Sequence, residues 1–196
     1  MNKSIESKNE FIPKEDLEYL ENGGQINVDN RGNKAYTIYN EPHRIGKPAI
    51  INNIDGNIEY QWWYRGELHR IDGPAIESNT KKEWYEYDML HREDGPAVIT
   101  DDNTQEWWID GEKHREDGPA IIRSSGTKEW WIDGKKHRED GPAIIRCSGT
   151  KEWWINGKKH REDGPAIIDF DGTEEWWING IKIDNPKWKF VKSARK

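Results

Sequence analysis

The sequence predicts an all-β fold: an elongated, single-layer antiparallel sheet of stacked β-hairpin repeats of about 23 residues, with a short helix capping its start. Three observations predict it. A His-Arg pair recurs at His43-Arg44, His69-Arg70, His91-Arg92, His114-Arg115, His137-Arg138 and His160-Arg161, in steps of 26, 22, 23, 23 and 23 residues. A fixed period in this range marks an array of small units, none of which buries its apolar face alone. Each regular unit also carries a strand signal, Glu-Trp-Trp-Ile, at 106–109, 129–132, 152–155 and 175–178; aromatic and β-branched side chains suit a pleated, packed surface. Each such strand runs into Asp-Gly or Asn-Gly (Asp110-Gly111, Asp133-Gly134, Asn156-Gly157, Asn179-Gly180), residues that tolerate positive φ and so signal a hairpin tip.

Along the chain, residues 1–24 form the start: a polar stretch to Glu10, then a predicted short helix over 13–22. Pro13 stands at its first turn, Leu17 and Leu20 lie one turn apart, and Gly23-Gly24 stops it. Its expected task is to cover the edge of the first strand, since unpaired edges invite aggregation. Residues 25–183 form the repeat array, about seven units. It opens with a degenerate strand over 25–29, where Ile26 and Val28 match Ala143 and Ile145. The first aromatic strand follows over 34–39, with Tyr36 where later copies have Trp130. The copy around Trp84-Tyr85 has Asp88 where the tip glycine belongs, and residues 101–180 hold the most regular copies. Residues 184–196 form a C-terminal cap, a lysine-studded strand over 187–192 and a basic tail. At two strand spacings per unit the array should be on the order of 65 Å long.

Within a unit, one hairpin is expected: the aromatic strand, the Asp-Gly tip, a polar stretch ending in Gly-Pro, then a second strand such as 143–146. A Ser-Gly-Thr or Asp-Gly-Thr turn leads into the next copy, and every link is short enough for antiparallel neighbours. Side chains alternate across a strand, so paired tryptophans point to opposite faces. The expected drier face carries Trp130, Ile132, Ala143 and Ile145; Trp131 is expected on a mixed face with Ile144, Glu129 and Arg146.

The string Trp131-Ile132-Asp133-Gly134-Lys135-Lys136-His137 resembles the core of a MORN repeat, Trp-x-Asn/Asp-Gly-Lys-x-His-Gly-x-Gly. Matching residues recur at Trp63, Gly66 and His69, at Trp108, Gly111 and His114, and at Trp154, Gly157 and His160. The family's Gly after His is Arg here, its next Gly is displaced to Gly118, Gly141 and Gly164, and its Tyr-x-Gly before the Trp is missing. The resemblance, over roughly residues 34–183, is therefore to a divergent MORN-like solenoid. It implies a sheet of stacked hairpins serving as a scaffold or binding surface, of the kind met in bacterial, phage and giant-virus chains.

Composition bounds the partners. Hydrophobic residues make up 33% and charged residues 34% of the 196 residues, a balance that alone would favour disorder. The 12 tryptophans reverse that reading, because each buries up to ~250 Å². A net charge of −7 argues against a whole-surface nucleic-acid binder. Cys147 is the one cysteine, so no disulfide forms within the chain. No apolar run is long enough for a signal peptide or a membrane span, and a cytoplasmic, intracellular setting is the expectation.

Two rows of side chains are candidate binding sites. The second tryptophans, Trp63, Trp108, Trp131, Trp154 and Trp177, form a ladder of the residue type enriched at interface hot spots. The arginines Arg70, Arg92, Arg115, Arg138 and Arg161 could fork phosphate or carboxylate groups, or pair within their own Arg-Glu-Asp-Gly-Pro loops. Histidines one unit apart, ~9.6 Å at two strand spacings, are too distant to share a metal ion bound at about 2 Å. Neither metal nor cofactor is expected. Catalysis is disfavoured because the same polar set returns in the same local context, whereas an enzyme converges on one constellation. The expected function is a non-enzymatic scaffold for a protein partner, with self-association as a variant and a viral or phage protein acting on a host factor as a special case. The alternative is a binder of anionic groups (nucleotide, phosphate or lipid headgroup) along the His-Arg row.

Overall fold

A computed structural model describes residues 14–184. The fold is all-β: among the described residues, sixteen strands join in one long, open antiparallel sheet. Strands follow one another in chain order, so each repeat stacks on the one before it. The predicted helix spans Lys14–Glu21, stopped by Gly23 at φ 83°. The degenerate first strand is Gln25–Val28, with Ile26 opposite Tyr36. The C-terminal strand expected over 187–192 lies outside the described residues. No helix among them is long and apolar enough to cross a membrane.

The unit differs from the simple hairpin in one respect. The aromatic strand is interrupted at its first tryptophan, and the return strand at the polar loop. Lys128–Glu129 pairs with Ile144–Ile145, while Trp131–Ile132 pairs with Lys135–Lys136 around the Asp133-Gly134 tip. Trp130 links the two ladders: its N–H donates to Ala143 O (2.8 Å) and its carbonyl accepts from His137 N–H (3.1 Å). Residues 138–142 therefore bulge out as a loop from an otherwise continuous hairpin. The first part of the supposed polar stretch, Lys135–Lys136, is itself a strand.

Two further rows of bonds lock repeat to repeat. Strand Ile144–Ile145 also pairs with Lys151–Glu152 of the next copy. Beyond the loop, Arg138 N–H donates to Trp154 O (3.1 Å) and Gly157 N–H to Lys136 O (2.9 Å), and the equivalent pair recurs at the other junctions. The tips have positive φ at both central residues, as at Asp133 (46°) and Gly134 (67°). The copy that lacks the glycine keeps its tip: Tyr87 (48°) and Asp88 (63°) adopt the same conformation.

Burial is divided between the two sides of the second strand and not confined to the expected one: Ala143 is buried as expected, but so is Ile144 in place of Ile145. Ile121 and Ile144 are 0% and 1% exposed, whereas Ile145 is only half-buried. Register explains this. Ile144 stands between Glu129 and Glu152, and Ile145 stands between Lys128 and Lys151. Each glutamate accepts a hydrogen bond from the second tryptophan of its own strand. Lys128 and Lys151 extend into solvent and leave Ile145 partly open. Ala143 is fully buried, as expected, while Trp130 and Ile132 remain half-buried.

The helix is tied to the first repeat by charge. Asp16 Oδ1 lies 2.8 Å from Arg44 Nη2, with both side chains more than nine-tenths buried. Tyr19 Oη donates to His43 O (2.9 Å), and the Tyr19 and Tyr36 rings meet edge to face. In later repeats the corresponding arginine finds its aspartate two residues on, in its own loop. Here that position is Gly46, and the helix supplies the carboxylate instead.

Candidate functional site

The loop that bulges opposite Trp130 has one conformation in copy after copy. Arg138 Nε donates to Asp140 Oδ1 (2.8 Å) and its Nη1 to Pro142 O (3.3 Å), while its guanidinium lies 4.0 Å from the centre of the Trp130 ring. Arg70, Arg92, Arg115 and Arg161 repeat all three contacts on Trp62, Trp84, Trp107 and Trp153. The guanidinium folds so closely over the chain that a Cβ on Gly141 would sit 3.2 Å from Arg138 Cζ, so a side chain there would press the arginine tip out of place. The arginine hydrogen bond, then its charge, lowers the pKa of Asp72, Asp94, Asp117, Asp140 and Asp163 below the ordinary aspartate value. The predicted arginine row is thus paired within its own loops, on the first tryptophans and not on the second.

The second tryptophans form a separate ladder. Indole Nε1 of Trp108, Trp131, Trp154 and Trp177 donates to Glu106, Glu129, Glu152 and Glu175 at 2.9–3.2 Å, and Trp63 donates to Gln61. Lysines alternate with the rings: Lys136 Nζ lies 5.4 Å from the Trp131 centre and 4.8 Å from that of Trp154, and Lys113 and Lys159 bridge their neighbours in the same way. Such cation–π contacts contribute about 0.5–1 kcal/mol each at partly exposed sites. Hydrogen bonds from Lys182 and Trp177 hold Glu175 below the usual carboxylate range. The sequence placed Glu129 on the face of Trp131 through the Glu-x-Trp spacing, but the bond between carboxylate and indole was not singled out from it.

The histidines join tip to tip. His137 Nδ1 accepts from Asn156 N–H in the next copy (3.2 Å), and His160 accepts from Asn179 N–H (3.1 Å). The side-chain oxygen of the next tip residue also lies close to Nδ1, Asp110 Oδ1 at His91 and Asp133 Oδ1 at His114 (2.8 Å each) and Asn156 Oδ1 at His137 (2.9 Å), so a ring that carries its hydrogen on Nδ1 donates there instead. His69 stacks on Tyr87 at 4.2 Å. On the opposite border, Thr127 Oγ1 accepts from Cys147 N–H (3.2 Å), binding successive Ser-Gly-Thr turns. Among the described residues no three His, Cys, Asp or Glu side chains converge to hold a metal ion.

Successive loops enclose open notches. One of about 610 Å³ lies between the Arg70 and Arg92 loops with Trp84 in its lining, and one of about 570 Å³ lies between the Arg138 and Arg161 loops, lined by Trp153 and Ile155. The residue after each arginine stands on the rim. It is Ile45 (80% exposed), Ile71 (90%), Glu93, Glu116 (87%), Glu139 (86%) and Glu162 in turn. This rim was not singled out from the sequence, where its residues read as ordinary loop positions. The chain matches no protein-family model, and comparison with curated proteins gives no significant match.

Proposed function

We propose that this chain is a non-enzymatic interaction scaffold, a divergent MORN-like array that meets a protein partner along its row of loops. One observation carries the reading: the rim side chains are exposed and make at most long ion-pair contacts, Glu116, Glu139 and Glu162 lying 3.8–4.0 Å from histidine Nε2 of their own units, while their neighbours in the unit are engaged at hydrogen-bond distance. The arginine, aspartate, proline carbonyl, both tryptophans, the strand glutamate and the histidine all bond within or between repeats. The rim side chains project into solvent, and two of them are exposed isoleucines, Ile71 beside the Trp84 notch and Ile45 beside a cleft lined by Tyr19 and His43. Exposed apolar side chains next to a concave aromatic surface are the usual anchor for a partner. Repetition of the same notch, without a single convergent pocket, supports contact over an extended surface and gives no support to turnover.

The test is affinity capture from the native host, with co-purifying proteins identified by mass spectrometry. Ile45→Glu with Ile71→Glu should reduce recovery of the main partner at least ~10-fold, equivalent to about 1.4 kcal/mol, with the circular dichroism spectrum unchanged. A second variant, Glu116→Ala with Glu139→Ala and Glu162→Ala, probes the acidic half of the rim. Capture insensitive to both variants would reject the loop row as the contact surface.

A further inference from the structure

The notches between loops share one chemistry and one period, and together these select a partner. Three of them, between the Arg70 and Arg92, the Arg115 and Arg138, and the Arg138 and Arg161 loops, have volumes of about 610, 440 and 570 Å³. These lie within the range of about 300–1,000 Å³ usual for small binding sites. In each of the three, four carboxylates meet two guanidiniums: between the Arg138 and Arg161 loops they are Glu139, Asp140, Glu162 and Asp163. The guanidiniums are already held by the aspartate, the proline carbonyl and the indole of their own units. The carboxylates point outward, Asp140 and Asp163 being 81% and 82% exposed. The floor is apolar: Trp84 in the first notch, Trp130 and Ile132 in the second, Trp153 and Ile155 in the third. Acidic walls over an aromatic floor suit a side chain with a long apolar stem and a cationic head.

The period selects the conformation of what enters. Neighbouring notches are one repeat apart, ~9.6 Å at two strand spacings. A polyproline II helix has three residues per turn and rises about 9.3 Å per turn, so every third side chain falls on one face at nearly that interval. A β-strand does not match, because its third residue points to the opposite face. We propose, resting on the loop row as the contact surface, that the partner presents an extended polyproline II segment with arginine or lysine at every third position, one cationic side chain to each notch. Ile45 and Ile71, where the rim turns apolar, receive hydrophobic residues at one end of that segment. Such a segment is extended before it binds, so little conformational entropy is lost on docking.

Fluorescence anisotropy tests this with the full chain and a labelled synthetic peptide of four Arg-Pro-Pro triplets. A control peptide of the same composition, with its arginines contiguous, carries the same charge at the wrong spacing. The spaced peptide should bind at least ~10-fold more tightly than the control. Glu116→Gln with Glu139→Gln and Glu162→Gln should weaken its binding at least ~10-fold, with the circular dichroism spectrum unchanged. Equal binding of the two peptides, or binding of neither, overturns the proposal, as does full-strength binding of the spaced peptide to the triple variant. The loop row itself is judged by capture of the host partner. A chain that ignores the spaced peptide, yet whose capture of that partner still depends on the rim, keeps the loop row and loses the polyproline II segment.

Discussion

Asp16 shows how one residue joins a cap to a repeat. Arg44 is buried on Tyr36, its guanidinium 3.8 Å from the ring centre, and its own loop offers Gly46 where later loops offer aspartate. Without Asp16 the guanidinium is a buried charge whose compensation has gone, a situation that costs about 3–5 kcal/mol. Asp16→Asn should therefore lower the urea midpoint far more than a surface change, read by tryptophan fluorescence. A loss under ~1 kcal/mol would show the pair to be solvated. The sequence revealed the helix through its proline, leucine spacing and glycine stop. It hid the ion pair, because residues 28 apart carry no mutual spacing signal. The first tryptophans were hidden for a related reason. Two adjacent indoles look alike in sequence, and only the loop that folds back over one of them decides which meets arginine and which meets lysine.

At the scale of the element, the loop and its arginine set a pH dependence. Hydrogen bonds from arginine hold Asp72, Asp94, Asp117, Asp140 and Asp163 below their unfolded pKa. The unfolded chain therefore binds more protons than the folded one wherever these groups titrate. Their contribution is fully present above about pH 4, near the unfolded aspartate value, and is lost as pH falls through the folded values. The thermal midpoint should stay level from about pH 7 to 5 and drop below about pH 4. Asp117→Asn with Asp140→Asn and Asp163→Asn should flatten that drop; an unchanged acid profile would assign the transition to other carboxylates. The Asp-Gly tips, the antiparallel order and the alternation of the tryptophans were all legible, since each follows from local backbone preference. The bulge was not. Glu-Trp-Trp-Ile has uniform strand propensity, and only the divided bonding of Trp130, N–H to Ala143 and carbonyl to His137, shows where the return strand departs. Ala143 is buried as expected, but Ile144 and Ile145 were exchanged for want of register: the lysines opposite Ile145 become visible only when the strands are paired.

For the whole molecule, period and architecture were readable because repetition averages away the noise of any one copy. The proposed contact row was not, because the rim is one of the positions at which the copies differ, passing from isoleucine to glutamate along the array. Every junction in the regular part is held by the same small set: one pair of strands, two backbone bonds across the loop, one lysine caged by two indoles, one histidine between tips. Elements joined only to their neighbours melt as a chain of near-equal links. Stretched from its two ends in an optical trap, the molecule should therefore tear like a perforated strip, in a sawtooth of similar forces. Each tooth should release one unit of 23 residues, about 80 Å of contour. A single rip through the regular copies would mean that the links share their load, and that the strip is a plank.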